Sequence, residues 1–124
     1  MKKKIMIVDD HKDVRVMVKT GLERVSDEYE VTGVESGKEC FDLLTRGEIP
    51  DLILLDIMMP EISGWDVFAT MKENPAWRGI PIVFLTAKAD PYSKGFGKLS
   101  AADYIEKPFG IIQLKECIDR VLTR

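Results

Sequence analysis

The chain has 124 residues, 45% of them apolar, which is enough to bury one ordinary core with little over for a second. Its 18 basic and 21 acidic residues are scattered and sum to a formal charge of -3, so no basic block offers a grip on a nucleic-acid backbone or an anionic membrane. No apolar run approaches the roughly 18 residues of a membrane span. The two cysteines, Cys40 and Cys117, form neither a Cys-x-x-Cys pair nor a metal-ligand set. Both read as reduced, buried or partly buried residues, which points to a cytoplasmic setting.

In chain order, the basic start Met1-Lys2-Lys3-Lys4 leads straight into a short apolar run, Ile5 to Val8, and two aspartates. That is a first strand and not a signal peptide. Val14, Met17, Val18, Gly21, Leu22 and Val25 then recur at helical spacing, with Asp13 placed to cap the start. Tyr29 to Val34 reads as the second strand. Ser36-Gly37-Lys38-Glu39 has the spacing of a capping box ahead of Cys40, Phe41, Leu43 and Leu44. Leu52 to Leu55 is apolar throughout, as a strand covered on both faces should be. Ser63 to Asp66 suits the start of a third helix carrying Val67, Phe68 and Met71, and Ile80 to Leu85 is the fourth strand.

The segment from Ala87 to Ala101 fits least well, because Pro91, Gly95 and Gly97 stand where a fourth helix belongs. The expectation there is a helix that is short, irregular or mobile. A brief strand at Tyr104 to Ile105 follows, and the stripe Ile111, Leu114, Ile118, Val121 and Leu122 docks a closing helix onto the sheet. Short apolar runs alternating with helical segments are the pattern of βα units around a parallel sheet. The expectation is one domain over residues 1–124, without an output domain in this chain. Trp65 and Trp77 read as partly buried packing residues.

The chemistry lies in where acids fall relative to strands. Asp9 and Asp10 follow the first strand and Asp56 follows the third, so a parallel sheet delivers all three to one edge. Three carboxylates packed closely repel one another, and a hard divalent cation with oxygen ligands relieves that repulsion. Magnesium suits the set better than zinc, since only His11 offers nitrogen nearby. By itself an Asp-Asp pair after a strand is a solvated turn, Thr86 a strand-end residue, Lys107 a surface lysine, and His11 a solvated loop histidine. Together, Thr86 after the fourth strand and Lys107 after the fifth bring a hydroxyl and an ammonium to the edge that holds the acids. A carboxylate nucleophile, a metal, a fixed cation and a hydroxyl donor suit phosphoryl transfer.

Ile7-Val8-Asp9-Asp10, Asp56-Ile57-Met58-Met59-Pro60, Phe84-Leu85-Thr86-Ala87 and Asp103-Tyr104-Ile105-Glu106-Lys107-Pro108-Phe109 resemble, in order, the four motifs of the response-regulator receiver domain of two-component signalling. The resemblance covers essentially the whole chain. It implies a flavodoxin-like, doubly wound α/β fold, with a five-stranded parallel sheet in the order 2-1-3-4-5 flanked by five helices. It further implies that Asp56 accepts a phosphoryl group from a sensor histidine kinase. Mg2+ would be bound by Asp10, Asp56 and the Met58 backbone carbonyl, with Asp9 acting mainly through bound water. Lys107 would pair with the phosphoryl oxygens, aimed by a cis peptide before Pro108. Thr86 would move toward the added charge, and Tyr104 would turn into the space vacated. That motion switches the surface of the fourth helix, fifth strand and fifth helix toward a downstream protein or output domain. The family's activity is limited to its own phosphorylation and dephosphorylation, in monomers or weak phosphorylation-dependent dimers.

Departures from the family pattern are the slightly short stretch from Thr86 to Lys107 and its glycines. By the same resemblance Met58 and Lys88 would flank the path of an attacking water, and neither is a water-activating acid. An aspartyl phosphatase acting on external esters usually has a second acid two residues after the nucleophile, where this chain has Met58. A flavin-binding relative would have a first loop rich in Ser, Thr or Gly, where Asp9-Asp10-His11-Lys12-Asp13 would repel a phosphate.

Overall fold

The computed structural model describes residues 2–87 and 101–123. Five strands, β1 (Lys3–Val8), β2 (Tyr29–Val34), β3 (Leu52–Asp56), β4 (Ile82–Thr86) and β5 (Asp103–Glu106), form one sheet in the order β2-β1-β3-β4-β5. Every neighbouring pair is parallel. The order is the doubly wound one that the resemblance implies. Four helices stand among the described residues: α1 (Lys12–Val25), α2 (Gly37–Thr45), α3 (Gly64–Glu73) and α4 (Ile111–Leu122). The helix expected between Ala87 and Ala101 falls on residues 88–100, outside those described, as does Lys88.

Alternation along the strands creates two cores. Ile5, Ile7, Leu52, Leu54, Val83 and Leu85 point to the face covered by α1 and α4, where Val18, Leu22, Leu114 and Ile118 meet them. Met6, Val8, Ile53, Leu55, Ile82 and Phe84 point to the other face, under α2 and α3. Both faces of β3 and β4 are covered, so all their residues are buried, and period-2 polarity is absent from their sequences. Phe84, fully buried, is flanked by Trp65 with ring centres 4.6 Å apart and by Phe68 at 5.2 Å. Truncating such a residue to alanine costs about 3–5 kcal/mol. Trp77 stacks on Phe41 at 6.1 Å, and both tryptophans are partly buried packing residues. Cys40 and Cys117 are buried, one in each core.

Local details correct three expectations. The N-cap of α1 is His11 and not Asp13, which lies within the first turn; the His11 side chain makes no capping hydrogen bond. Asp13 instead contributes only its charge to the helix N-terminus. At α2, Ser36 accepts a hydrogen bond from the Glu39 N–H, and the described bonds show only this half of a capping box. The complete box is at α3, between Ser63 and Asp66. Strand β4 begins at Ile82 and not Ile80, because the Ile80 N–H is taken by the Trp77 carbonyl in the preceding turn and Pro81 has none to offer.

Candidate functional site at the carboxyl edge of the sheet

Parallel strands end together, so the residues just past β1, β3, β4 and β5 collect on one edge. Asp9, following β1, is fully buried. Its N–H continues the ladder by donating to the Val34 carbonyl at 3.1 Å. Its Oδ1 accepts from the His11 N–H at 2.9 Å, and its Oδ2 accepts from Lys107 Nζ at 3.0 Å. Asp56, the last residue of β3, is 4% exposed and accepts from the same Nζ at 3.3 Å through Oδ1. One ammonium group thus bridges two buried carboxylates. Lys107 is brought there by its own backbone N–H, which donates to the Thr86 carbonyl at 2.7 Å. The Lys107–Pro108 peptide is cis.

Asp10 is differently placed. Its Oδ1 is buried and has no hydrogen-bond partner. His11 Nδ1 lies 3.3 Å from that oxygen without hydrogen-bond geometry, and 3.2 Å from Asp9 Oδ1. The His11 side chain is largely exposed, as expected, yet it leans on both acids. An orphaned buried carboxylate oxygen is a costly arrangement that a cation relieves. Asp9, Asp10, His11 and Asp56 each offer one donor atom, all within 4.8 Å of one another. Three of these donors are carboxylates, which fits a hard, oxygen-seeking ion.

Electrostatics agree with the geometry. Burial, and then the neighbouring Asp9 charge, push the Asp56 carboxyl up to about 6, against the lowering pull of Lys107 and the Met58 backbone N–H. For Lys107, burial works to lower the value, but the bonds to Asp9 and Asp56 outweigh it and hold the ammonium above its usual range. The lysine is therefore charged at neutral pH.

The loop after Asp56 is shaped by two unlike residues. Gly64 begins α3 so close to this loop that a Cβ there would stand 2.3 Å from the Asp56 carbonyl oxygen. Its N–H donates to the Ile57 carbonyl at 2.9 Å. Glu61, in the same loop, adopts φ +66, a left-handed conformation unusual for a residue with a Cβ. Met58 is two-thirds exposed beside the acids.

Thr86 ends β4 and is 5% exposed. Tyr104 pairs with Phe84 across the β4–β5 ladder and packs, half-buried, on the α2/α3 side. Strand alternation puts Thr86 on that side too, diagonal to Tyr104. Two contacts at this edge had no signal in the sequence. Arg15 Nη1 donates to the Asp9 backbone carbonyl at 2.7 Å, and Gly64 makes its close backbone approach. Arg15 sat among the ordinary charges of a helix, and no motif singled it out.

Comparison with known proteins bears on the whole arrangement. The response regulator receiver domain model matches residues 5–119. The chain is 41% identical over 112 residues to a probable cyclic di-GMP phosphodiesterase of Vibrio cholerae serotype O1, covering 90% of this chain and 24% of that protein. It is 38% identical over 121 residues to the response regulator SaeR of Staphylococcus aureus, covering 97% of this chain and 50% of that one. The chain thus spans half or less of the length of these curated relatives. A solved putative response regulator from Chloroflexus aurantiacus J-10-fl superposes with a TM-score of 0.90 at 30% identity, over the whole of both chains. No helix among the described residues is long and apolar enough to cross a membrane. The family match and the fold agree, and this chain belongs to the response regulator receiver domain family of two-component systems.

Proposed function

We propose that the chain accepts a phosphoryl group on Asp56 from the phosphohistidine of a sensor histidine kinase, with Mg2+ bound at the acidic cluster. The observation that carries this reading is the Lys107 ammonium bridging two buried carboxylates beside the orphaned Asp10 oxygen. Asp10, Asp56 and the Met58 carbonyl would hold the ion, with Asp9 acting through water. Bound there, the ion neutralises charge on the phosphoryl oxygens. An Asp56 carboxylate oxygen attacks phosphorus, the P–N bond breaks, and the imidazole leaves with its electron pair and takes a proton from solvent. Lys107 stays charged throughout and pairs with a phosphoryl oxygen as Asp56 becomes an acyl phosphate. A shallow apolar groove of about 450 Å³ beside Lys107, formed by Val14, Met17, Pro108 and Phe109, leaves this edge open to a protein donor.

Added charge on Asp56 attracts the Thr86 hydroxyl, and Tyr104, its diagonal neighbour, repacks in response. The repacking alters the surface around β5 and α4, through which a downstream protein or output domain is controlled. Residues 1–124 act as a single receiver unit whose only turnover is its own phosphorylation and dephosphorylation, in a cytoplasmic setting. The test is incubation with a small-molecule acyl phosphate and Mg2+, read by intact mass. One added phosphoryl group on the wild type, absent from Asp56→Asn and absent in EDTA, is the expected result. An unmodified wild type rejects the proposal.

A further inference from the structure

We propose that Arg15 is a positioning residue for the divalent-cation site, holding the peptide plane between Asp9 and Asp10 and so setting where Asp10 points. The inference rests on the reading of the cluster as a metal site and names a residue that sets its geometry. Asp9 is anchored at four atoms. Its N–H is in the sheet ladder, Oδ1 is held by the His11 N–H, Oδ2 by Lys107, and its carbonyl by Arg15 Nη1. Only the last of these lies in the peptide plane that leads into Asp10. Among the described residues no other hydrogen bond reaches that plane. With the Arg15 bond lost, the plane can rotate, and the Asp10 side chain swings with it.

The position of Arg15 is otherwise unfavourable. It lies in the first turn of α1, where helical side chains lean back toward the N-terminus and a cation opposes the helix dipole. Helix stability alone therefore does not account for a guanidinium here. The path to the strand end is open because β2 has Gly33 on this face. The Arg15 Cβ and Cδ both lie 3.4 Å from where a Gly33 side chain would begin, so its methylenes run over a strip of bare backbone. The fork then reaches a carbonyl that lies beyond the end of the ladder.

Two effects on metal affinity oppose each other, and their sum has a readable sign. Removing a cation near the acids raises affinity by simple attraction. Removing the anchor lowers it, because outer-shell partners that orient ligands are typically worth about 10–100-fold in metal affinity. The experiment is titration with Mn2+ alone, following free Mn2+ by electron paramagnetic resonance, with thermal unfolding recorded for each protein. Arg15→Met should bind Mn2+ about ten-fold more weakly than wild type, and Arg15→Lys should recover part of the loss. Val18→Ala, a core substitution in the same helix, should unfold at lower temperature yet bind as wild type does. Wild-type affinity or better in Arg15→Met, an equal loss in Val18→Ala, or no recovery in Arg15→Lys would each overturn the inference. Failure of the wild type itself to bind Mn2+ is a separate result, and it would remove the metal-site reading along with this one.

Discussion

Lys107 and Asp56 are 51 positions apart in the chain, and their side chains meet at 3.3 Å on the carboxyl edge of the sheet. The same ammonium is 3.0 Å from Asp9, so one cation faces two buried anions with a third, Asp10, beside them. The site is therefore over-charged in the absence of metal. Lys107→Met should lower the stability of the metal-free protein by about 1–3 kcal/mol, since it strands two buried carboxylates. Asp56→Asn should do the reverse, raising it by about 1–2 kcal/mol through relief of repulsion. Urea unfolding in EDTA reads both. Adding Mg2+ should stabilise the wild type by mass action and close the gap to Asp56→Asn, and an unchanged gap would count against the metal site.

Glu61, in the loop after Asp56, and Gly64, three positions on at the start of α3, should respond oppositely to exchange. Glu61→Gly removes the strain of a Cβ at φ +66 and should stabilise by about 0.5–1 kcal/mol, net of the extra freedom glycine gives the unfolded chain. Gly64→Ala drives a methyl into the Asp56 carbonyl and the Ile57 Cα, at 2.3 and 2.8 Å, and backbone must move. A loss of about 2 kcal/mol or more is expected, together with weaker Mn2+ binding. A neutral Gly64→Ala would show the loop to be softer than its contacts imply.

Far from the site, Tyr29 donates its hydroxyl to Asp119 Oδ1, tying β2 to α4 across 90 positions. Burial opposes ionisation of Asp119, but the Lys115 and Tyr29 hydrogen bonds outweigh it and hold the carboxyl below its usual range. A lowered folded value means stability that is present above the unfolded value, about 3.9, and is lost as pH falls through the folded one. Asp119→Asn should flatten that acid limb. For Tyr29, burial and the Asp119 carboxylate push the phenol well up. Its contribution is complete below the unfolded value, about 10, and declines as pH rises beyond it. Tyr29→Phe should lose this alkaline decline, as unfolding midpoints measured from pH 2 to 11 would reveal.

Strand β2 is at the edge of the sheet, and α1 covers part of its open side. Glu23 Oε2 accepts from the Val31 N–H at 2.8 Å, Lys19 Nζ donates to the Val31 carbonyl at 2.8 Å, and the two side chains pair at 2.9 Å. Unsatisfied edge groups are templates for pairing with another strand. Glu23→Ala should cost about 1 kcal/mol. The pair Lys19→Ala with Glu23→Ala should raise self-association in sedimentation experiments, and a double variant that associates no more than the wild type would refute the edge-blocking role.

Much of this architecture is readable from local pattern. Apolar runs without alternation mark the doubly covered strands, Ser63 and Asp66 mark the start of α3, and Asp9, Asp56, Thr86 and Lys107 each fall just at or past a strand end. These features are legible because side-chain period and strand-end position are properties of short segments. Parallel pairing then carries every strand end to the same edge. The start of α1 is not legible at Asp13, because the N-cap is set by where the incoming chain turns from extended to helical, and that turn comes at His11, φ -91 and ψ 114.

What only the tertiary structure decided is which groups meet. Lys107 chooses Asp9 as well as Asp56, Arg15 finds a carbonyl instead of a carboxylate, Lys19 and Glu23 turn to Val31, and Tyr29 finds Asp119. The first follows from parallel pairing, which ends β1, β3 and β5 at one edge, and the others depend on how far a helix is rotated and slid against the sheet. That placement is set by the summed packing of two cores and is carried by no single stretch of residues.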